Sequence, residues 1–220
     1  MRHRYLLSLE NLLEGGIVII EQSSSRDLIA VAAAREGVAL LPLLIPAPST
    51  MVIQVGETIP SGEFGYIPYA PELEDPAVCG LPSKITTEKD FKGKKVVIFG
   101  VPGAFTKTCS ENHLPPYVAD FDKFKSKDVD AIYCIASNDL FVMSAWGRVL
   151  KAGDKVICIS DPQLAWLKQV GLTQDLSRVG FGERSARFAM VVDDLKVTYI
   201  GVESGPGVGP SGAEAVLAKL

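Results

Sequence analysis

The chain has 220 residues, 47% of them hydrophobic, enough for one substantial core with room for an appendage. Lys and Arg number 22 against 26 Asp and Glu, a net charge of −4, and the basic residues are scattered, so no nucleic-acid partner is expected. Four cysteines, at 79, 109, 134 and 158, show no CxxC spacing and there are only two histidines, so no metal and no organic cofactor is implied. So few cysteines in a chain this long also argue against a disulfide framework and for a reducing compartment.

Residues 1–50 differ from the rest. "LIAVAAAREGVALLPLLIPAPST" is apolar but is interrupted by Arg35-Glu36 and broken by Pro42, Pro46 and Pro48, so no membrane span is expected. Glu10 and Glu14 weaken a presequence reading of the basic N-terminus. The segment reads as an N-terminal extension, poorly ordered or absent from the working protein, with Met51 as a possible initiator. The working domain is then 51–220.

From Met51 onward strand and helix signals alternate. "EFGYIPYA" is a weak strand and "TTEKDF" a short helix. "KKVVIFG" is a continuous β-branched run ending at Gly100, the pattern of a strand buried on both faces. A helix is expected from about residue 107, bent or interrupted at Pro115-Pro116. "VDAIYCIAS" is the next buried strand. "NDLFVMSAWGRVLK" follows as a helix with Asn138 as its cap. "KVICIS" is a third strand, and "PQLAWLKQV" a helix with Pro162 in its first turn. "RFAMVVDDLKVTYIGV" is a hairpin turning at Asp193-Asp194, and "SGAEAVLAKL" a closing helix. This order predicts an α/β protein with a thioredoxin-like fold, a central mixed β-sheet flanked by helices.

Cys109 falls just beyond the C-terminal edge of a central strand, where open α/β sheets place their sites. A helix start favours the thiolate, and Lys107 adds a nearby positive charge. A pKa of about 6 raises the thiolate fraction at pH 7 from roughly 3% to roughly 90%, a gain of about 30-fold. The accompanying loss of intrinsic nucleophilicity is on the order of ten-fold. Each well-aimed donor is worth about 10²–10³ in rate. Positioned donors therefore outweigh ionisation. Thr106, three residues before the thiol, can direct its hydroxyl into the same pocket, and Pro102 can fix the turn and shield the sulfur.

The segment "PGAFTKTCS" resembles the peroxiredoxin motif Pro-x-x-x-Thr-x-x-Cys, matched at Pro102, Thr106 and Cys109. With "NDLFVMSAW" and "RSARFAMVVDD", the chain from about Ile59 onward resembles the type II (atypical, fifth-subfamily) peroxiredoxins, in particular the fungal, peroxisomal-membrane-protein-like branch. Lys107 departs from the proline usual in that motif, at a first-turn position that requires no particular side chain. The resemblance implies a thiol peroxidase reducing hydrogen peroxide and alkyl hydroperoxides through a sulfenic acid on Cys109. It implies that Arg187 completes the pocket, with Arg184 the alternative if the register differs. An arginine fork suits a peroxide oxygen and a thiolate together.

The sulfenic acid must then meet another thiol. Cys134 and Cys158 lie in apolar strand runs and read as core residues. Cys79, in the Pro/Gly-rich "DPAVCGLPSKI", reads as accessible, and the resemblance to fungal relatives implies a resolving role for it, across a subunit boundary in some. Glutathione (with glutaredoxin) or a thioredoxin-type protein is the alternative reductant. Phe141, Met143 and Trp146 read as core packing by default, while the resemblance implies a homodimer with part of this patch at its interface. His113, four residues after Cys109 and so on the same helix face, could form a Cys-His dyad, but it reads as a packing or interface residue. The glycines of "ESGPGVGPSG" read as loop, because they lack the strand–GxGxxG–helix context. Ala218-Lys219-Leu220 resembles a Ser-Lys-Leu peroxisomal address, so the peroxisome is expected, with the cytoplasm as the alternative. The competing functions are a monothiol glutaredoxin-like reductase and a non-enzymatic redox-sensing dimer.

Overall fold

In the computed structural model the chain divides into two compact units, residues 1–50 and 51–220. Residues 51–75 and 77–220 are described in full. Of residues 1–50 only the backbone of four strands is described: β1 (Arg4–Leu6), β2 (Ile17–Gln22), β3 (Leu28–Ala34) and β4 (Leu43–Pro46), antiparallel neighbours in that order. The remainder of the expected N-terminal extension lies outside the described residues.

The second unit is built on a seven-stranded sheet. Its strands are β5 (Glu63–Tyr66), β6 (Ser83–Thr86), β7 (Lys95–Gly100), β8 (Ala131–Ala136), β9 (Ile157–Ser160), β12 (Phe188–Asp193) and β13 (Lys196–Val202), in the order β13-β12-β7-β8-β9-β5-β6. β7, β8 and β9 run parallel, and the strands flanking them are antiparallel, so the sheet is mixed. A separate two-stranded ribbon pairs β10 (Thr173–Asp175) with β11 (Glu183–Ser185).

The helices are α1 (Leu114–Ala119), α2 (Phe121–Lys125), α3 (Leu140–Val149), α4 (Ala165–Gln169) and α5 (Ala213–Leu217). Side chains alternate faces along a strand, and both faces here are buried. Val97 and Phe99 of β7 join Leu114, Tyr117, Met143, Trp146 and Val216 on one side. Val96 and Ile98 join Trp166, Leu167, Met190 and Val192 on the other. The thioredoxin-like α/β architecture follows from this doubly covered sheet.

Three local expectations shift in the structure. α3 is capped by Asp139, whose Oδ1 accepts from the N–H groups of Phe141 and Val142, and not by Asn138. Asn138 instead uses its side-chain oxygen to hold the Ala104 N–H at 2.9 Å. The helix expected to begin at Pro162 starts at Ala165, behind Leu164 at φ 56°, because the Asp161 carboxylate collects the N–H groups of Ala165, Trp166 and Leu167. The β12–β13 turn lies at Asp194-Leu195, both at positive φ, one residue later than expected, in the manner of a two-residue hairpin loop.

Candidate functional site

β7 ends at Gly100, where a Cβ would fall 2.1 Å from the Phe188 ring, so only glycine lets the strand close on β12 there. The chain then turns through "VPGAFT", with Phe105 at φ 61°, an uncommon conformation for a non-glycine residue. The helix beyond is irregular. Cys109–His113 form a π-helical turn closed by the Leu114 N–H on the Cys109 carbonyl, and α1 begins with Pro115 and Pro116 in its first turn. Proline needs no N–H partner at that position, so the pair starts α1 after the wide turn instead of breaking a longer helix. π-turns inside helices occur frequently at functional sites.

Cys109 is completely enclosed, in the core cluster that contains Phe99, Leu114 and Tyr117. Arg187, itself buried, reaches it from the residue preceding β12: Nη2 donates to the Cys109 sulfur at 3.4 Å. Nη1 of the same guanidinium lies 3.1 Å from His113 Nδ1. A guanidinium can only donate, so Nδ1 is the acceptor and the imidazole proton sits on Nε2. Nε2 then donates to the Ser211 carbonyl at 2.9 Å, beside the Tyr117 hydroxyl, which donates to the same oxygen at 2.7 Å. Burial lowers the His113 pKa to about 4, helped by the neighbouring Arg187 charge and opposed by the Ser211 bond, so the ring is neutral at physiological pH.

Ser211 is fixed in turn by Glu203, whose Oε1 accepts from the Ser211 hydroxyl and from the N–H groups of Gly209 and Ser211. Burial pushes the Glu203 carboxyl up, but these bonds outweigh it and its pKa is lowered. A continuous chain therefore runs from Glu203 through Ser211, His113 and Arg187 to the sulfur. The guanidinium is aimed, not merely nearby.

In front of Arg187 lies a cleft of about 590 Å³, also lined by Pro102, Thr106, Gln174, Phe181 and Glu203. The Thr106 hydroxyl donates to the Gly103 carbonyl at 2.9 Å, which leaves its oxygen free to accept. Pro102, Thr106 and Arg187 thus share the cleft, and Arg187 links it to the enclosed Cys109 sulfur. Arg184 is engaged elsewhere: its Nε donates to the Phe181 carbonyl, its guanidinium lies 5.4 Å above the Phe181 ring, and its Nη1 sits beside Gly103. Cys79 is exposed on the loop before β6, and no disulfide joins any of the four cysteines. Cys134 and Cys158 are buried partners across β8 and β9, and burial together with the Cys158 thiol pushes the Cys134 pKa well up, as suits core thiols.

Sequence reasoning missed His113, Ser211 and Glu203 as parts of this arrangement. His113 packs against Phe99 at 5.0 Å, as expected of a core residue, and also holds Arg187. Its spacing of four from Cys109 was a usable signal. The loop "ESGPGVGPSG" carried none.

Comparisons with known proteins place the chain in a family. A model of the Redoxin family matches residues 54–217. A Malassezia furfur protein named as a peroxiredoxin is 47% identical over 167 residues, 76% of this chain and all of that one. A Lipomyces kononenkoae protein whose name places it among peroxisomal peroxiredoxins is 44% identical over 159 residues, 72% of this chain and 95% of that one. The crystal structure of reduced Prx3 from Vibrio vulnificus in complex with hydrogen peroxide superimposes with a TM-score of 0.66 at 36% identity, covering 76% of this chain and 95% of that one. These relatives do not favour the glutaredoxin-like or purely sensing alternatives. No helix among the described residues is long and apolar enough to cross a membrane. With a buried thiol in the grip of an arginine and relatives of this kind, the chain belongs to the peroxiredoxins and is a thiol-dependent peroxidase of the antioxidant class.

Proposed function

We propose that Cys109 is the peroxidatic nucleophile, with Thr106 and Arg187 polarising the peroxide and Pro102 shielding the sulfur. The observation that carries this reading is the 3.4 Å contact between Arg187 Nη2 and the Cys109 sulfur. A peroxide entering the cleft meets the Thr106 oxygen as acceptor for its O–H and Arg187 as donor. The thiolate attacks the nearer oxygen, the O–O bond breaks, and the sulfur becomes a sulfenic acid. The departing hydroxide or alkoxide takes a proton and leaves as water or alcohol. Donors already aimed at the developing charge lower the barrier without reorganising. Stopped-flow peroxide consumption tests the assignment: Cys109→Ser abolishes it and Thr106→Val slows it. An unchanged rate in Thr106→Val would remove threonine from the site.

Hydrogen peroxide and alkyl hydroperoxides are the proposed substrates, the second supported by apolar Leu176, Phe181, Val202 and Pro206 along the cleft. Cys79 is the proposed resolving cysteine, supported by its exposure, with thioredoxin or glutathione and glutaredoxin as the external reductant. Mass spectrometry of the oxidised protein would find a Cys79–Cys109 linkage, and its absence would leave resolution to the external thiol. A homodimer is supported by two exposed phenylalanines, Phe105 and Phe141, on segments tied together by the Ala104–Asn138 bond. Replacing both by serine should yield a monomer in sedimentation, and a wild type that is itself monomeric would refute the dimer.

The working unit is proposed to be 51–220, supported by the family match beginning at residue 54. Peroxisomal import through Ala218-Lys219-Leu220 is supported by the tripeptide and by the Lipomyces relative's name. Leu220 packs partly against the core and must swing free to be read. Deleting the tripeptide from a tagged protein should abolish punctate localisation.

A further inference from the structure

We propose that Arg148 is a positioning residue for the second thiol: its guanidinium fills a cage of backbone carbonyls and thereby fixes the loop that presents Cys79. This rests on the reading of Cys79 as the resolving cysteine.

Arg148 lies in the last turn of α3, far in sequence from that loop. Its Nη1 donates to the carbonyl oxygens of Leu73, Asp75 at 3.4 Å and Val78 at 3.3 Å. Three carbonyl dipoles pointing their negative ends at one spot repel one another, and a cation at the centre makes that backbone conformation favourable. Among the described residues Arg148 forms no ion pair with a carboxylate, so its charge serves the loop. Its Nε is buried without a hydrogen-bond partner, so the side chain holds this position against a desolvation cost.

The cage holds the residue immediately before Cys79. On one side of it Leu73 is buried in the domain. On the other, Gly80 passes so close to Ile67 that a Cβ would lie 2.3 Å from its Cγ2. Within the loop, the Val78 N–H closes a turn on the Asp75 carbonyl at 3.0 Å, and the Ala77 N–H donates to Asp75 Oδ1 at 2.8 Å. Cys79 stays exposed while the backbone around it is pinned. A loop already held in the conformation that meets the sulfenic sulfur spends less conformational entropy on capture, and the caged conformation is proposed to be that one.

The step it serves is balanced. The Cys79 thiolate sulfur attacks the Cys109 sulfenic sulfur, an S–S bond forms, the S–O bond breaks, and the hydroxide leaves as water with the proton Cys79 released. The sulfenic acid is the oxidant, and the peroxidase reaction supplies it.

Arg148→Met keeps the packing of the stem and empties the cage, whereas Arg148→Lys returns a cation. In the full-length protein, amide hydrogen exchange at Val78, Cys79 and Gly80 should accelerate roughly ten-fold in Arg148→Met, as an anchored loop is released. Cys79–Cys109 disulfide formation after one equivalent of peroxide should slow by a factor of about five to ten. Sulfenic acid formation at Cys109 should keep its wild-type rate, which also shows the variant folded, and Arg148→Lys should recover part of both losses. Unaltered exchange overturns the clamp. Faster exchange with an unaltered disulfide rate overturns the positioning role. A wild type that forms no Cys79–Cys109 bond overturns the resolving reading and the positioning role with it, while the exchange measurement still reports separately on the clamp.

Discussion

Cys109 and Cys79 occupy opposite environments in one domain. Cys109 has no exposed surface, and a side chain, the Arg187 guanidinium, reaches its sulfur. Cys79 is exposed, and the loop before it has backbone carbonyls tied to the Arg148 guanidinium. In both regions an arginine from a distant element provides the order, Arg187 at a separation of 78 residues from Cys109 and Arg148 at 70 to 75 from the carbonyls it holds. The difference lies in what is ordered. At Cys109 a donor is aimed at the sulfur proposed to react, so its removal should change a barrier. At Cys79 a chain segment is restrained, so its removal changes an ensemble.

The largest effect should come from Arg187→Met. Loss of an aimed donor lowers the second-order rate of peroxide consumption by about 10²–10³. Cys79 alkylation in the reduced protein should stay at its wild-type rate. A fall in both would mean that the two thiols share one support, and the contrast would be broken.

Acid provides the next test, since His113 supports Arg187 only while neutral. Its pKa is lowered to about 4 in the folded protein against 6.5 when unfolded, so between these values the unfolded chain binds more protons. Stability therefore rises with pH through this window, and the folded protein loses about 3 kcal/mol as pH falls from above 6.5 to below 4. Glu203, with its pKa also lowered, loses stability in the same direction on acidification. Urea unfolding at pH 7 and pH 4.5 should show a smaller acid loss for His113→Gln than for the wild type, which isolates the histidine. Equal losses would show that folding does not lower the His113 pKa.

The smallest effect sharpens the other side of the comparison. Gly80→Ala forces a Cβ against Ile67 and costs about 1–3 kcal/mol as the loop shifts. Cys79 alkylation should change while first-turnover peroxide reduction at Cys109 does not. If the peroxide rate falls as well, the loop is coupled to the buried site after all.

How much of this was legible beforehand depends on how local the cause was. β7, β8 and β9 lie where apolar, β-branched runs predicted them, because a strand covered on both faces must be apolar almost throughout, and β12 and β13 form the expected hairpin, with β13 at the sheet edge alternating exposed and buried positions. Cys109 beyond the end of β7 was legible for the same reason. Asn138 and Asp139 are both competent caps, and the sequence offers no basis for choosing between them. The Ala104 N–H, 34 residues away, occupies Asn138 and leaves the cap to its neighbour. Arg187 was identified through resemblance to a family, since composition alone did not separate it from Arg184.

By itself the sequence determined the strand pattern, the Pro102–Thr106–Cys109 spacing and the placement of a thiol at a strand-to-helix junction. All are properties of neighbouring residues. The tertiary structure decided which arginine faces the sulfur, why His113 is neutral, and that Ser211, 98 residues away, and Glu203 stand behind it. Periodicity records which side of an element is buried but not which distant side chain will meet it there. That pairing exists only once the sheet has brought β7 and β12 together and the Glu203–Ser211 loop has closed over them.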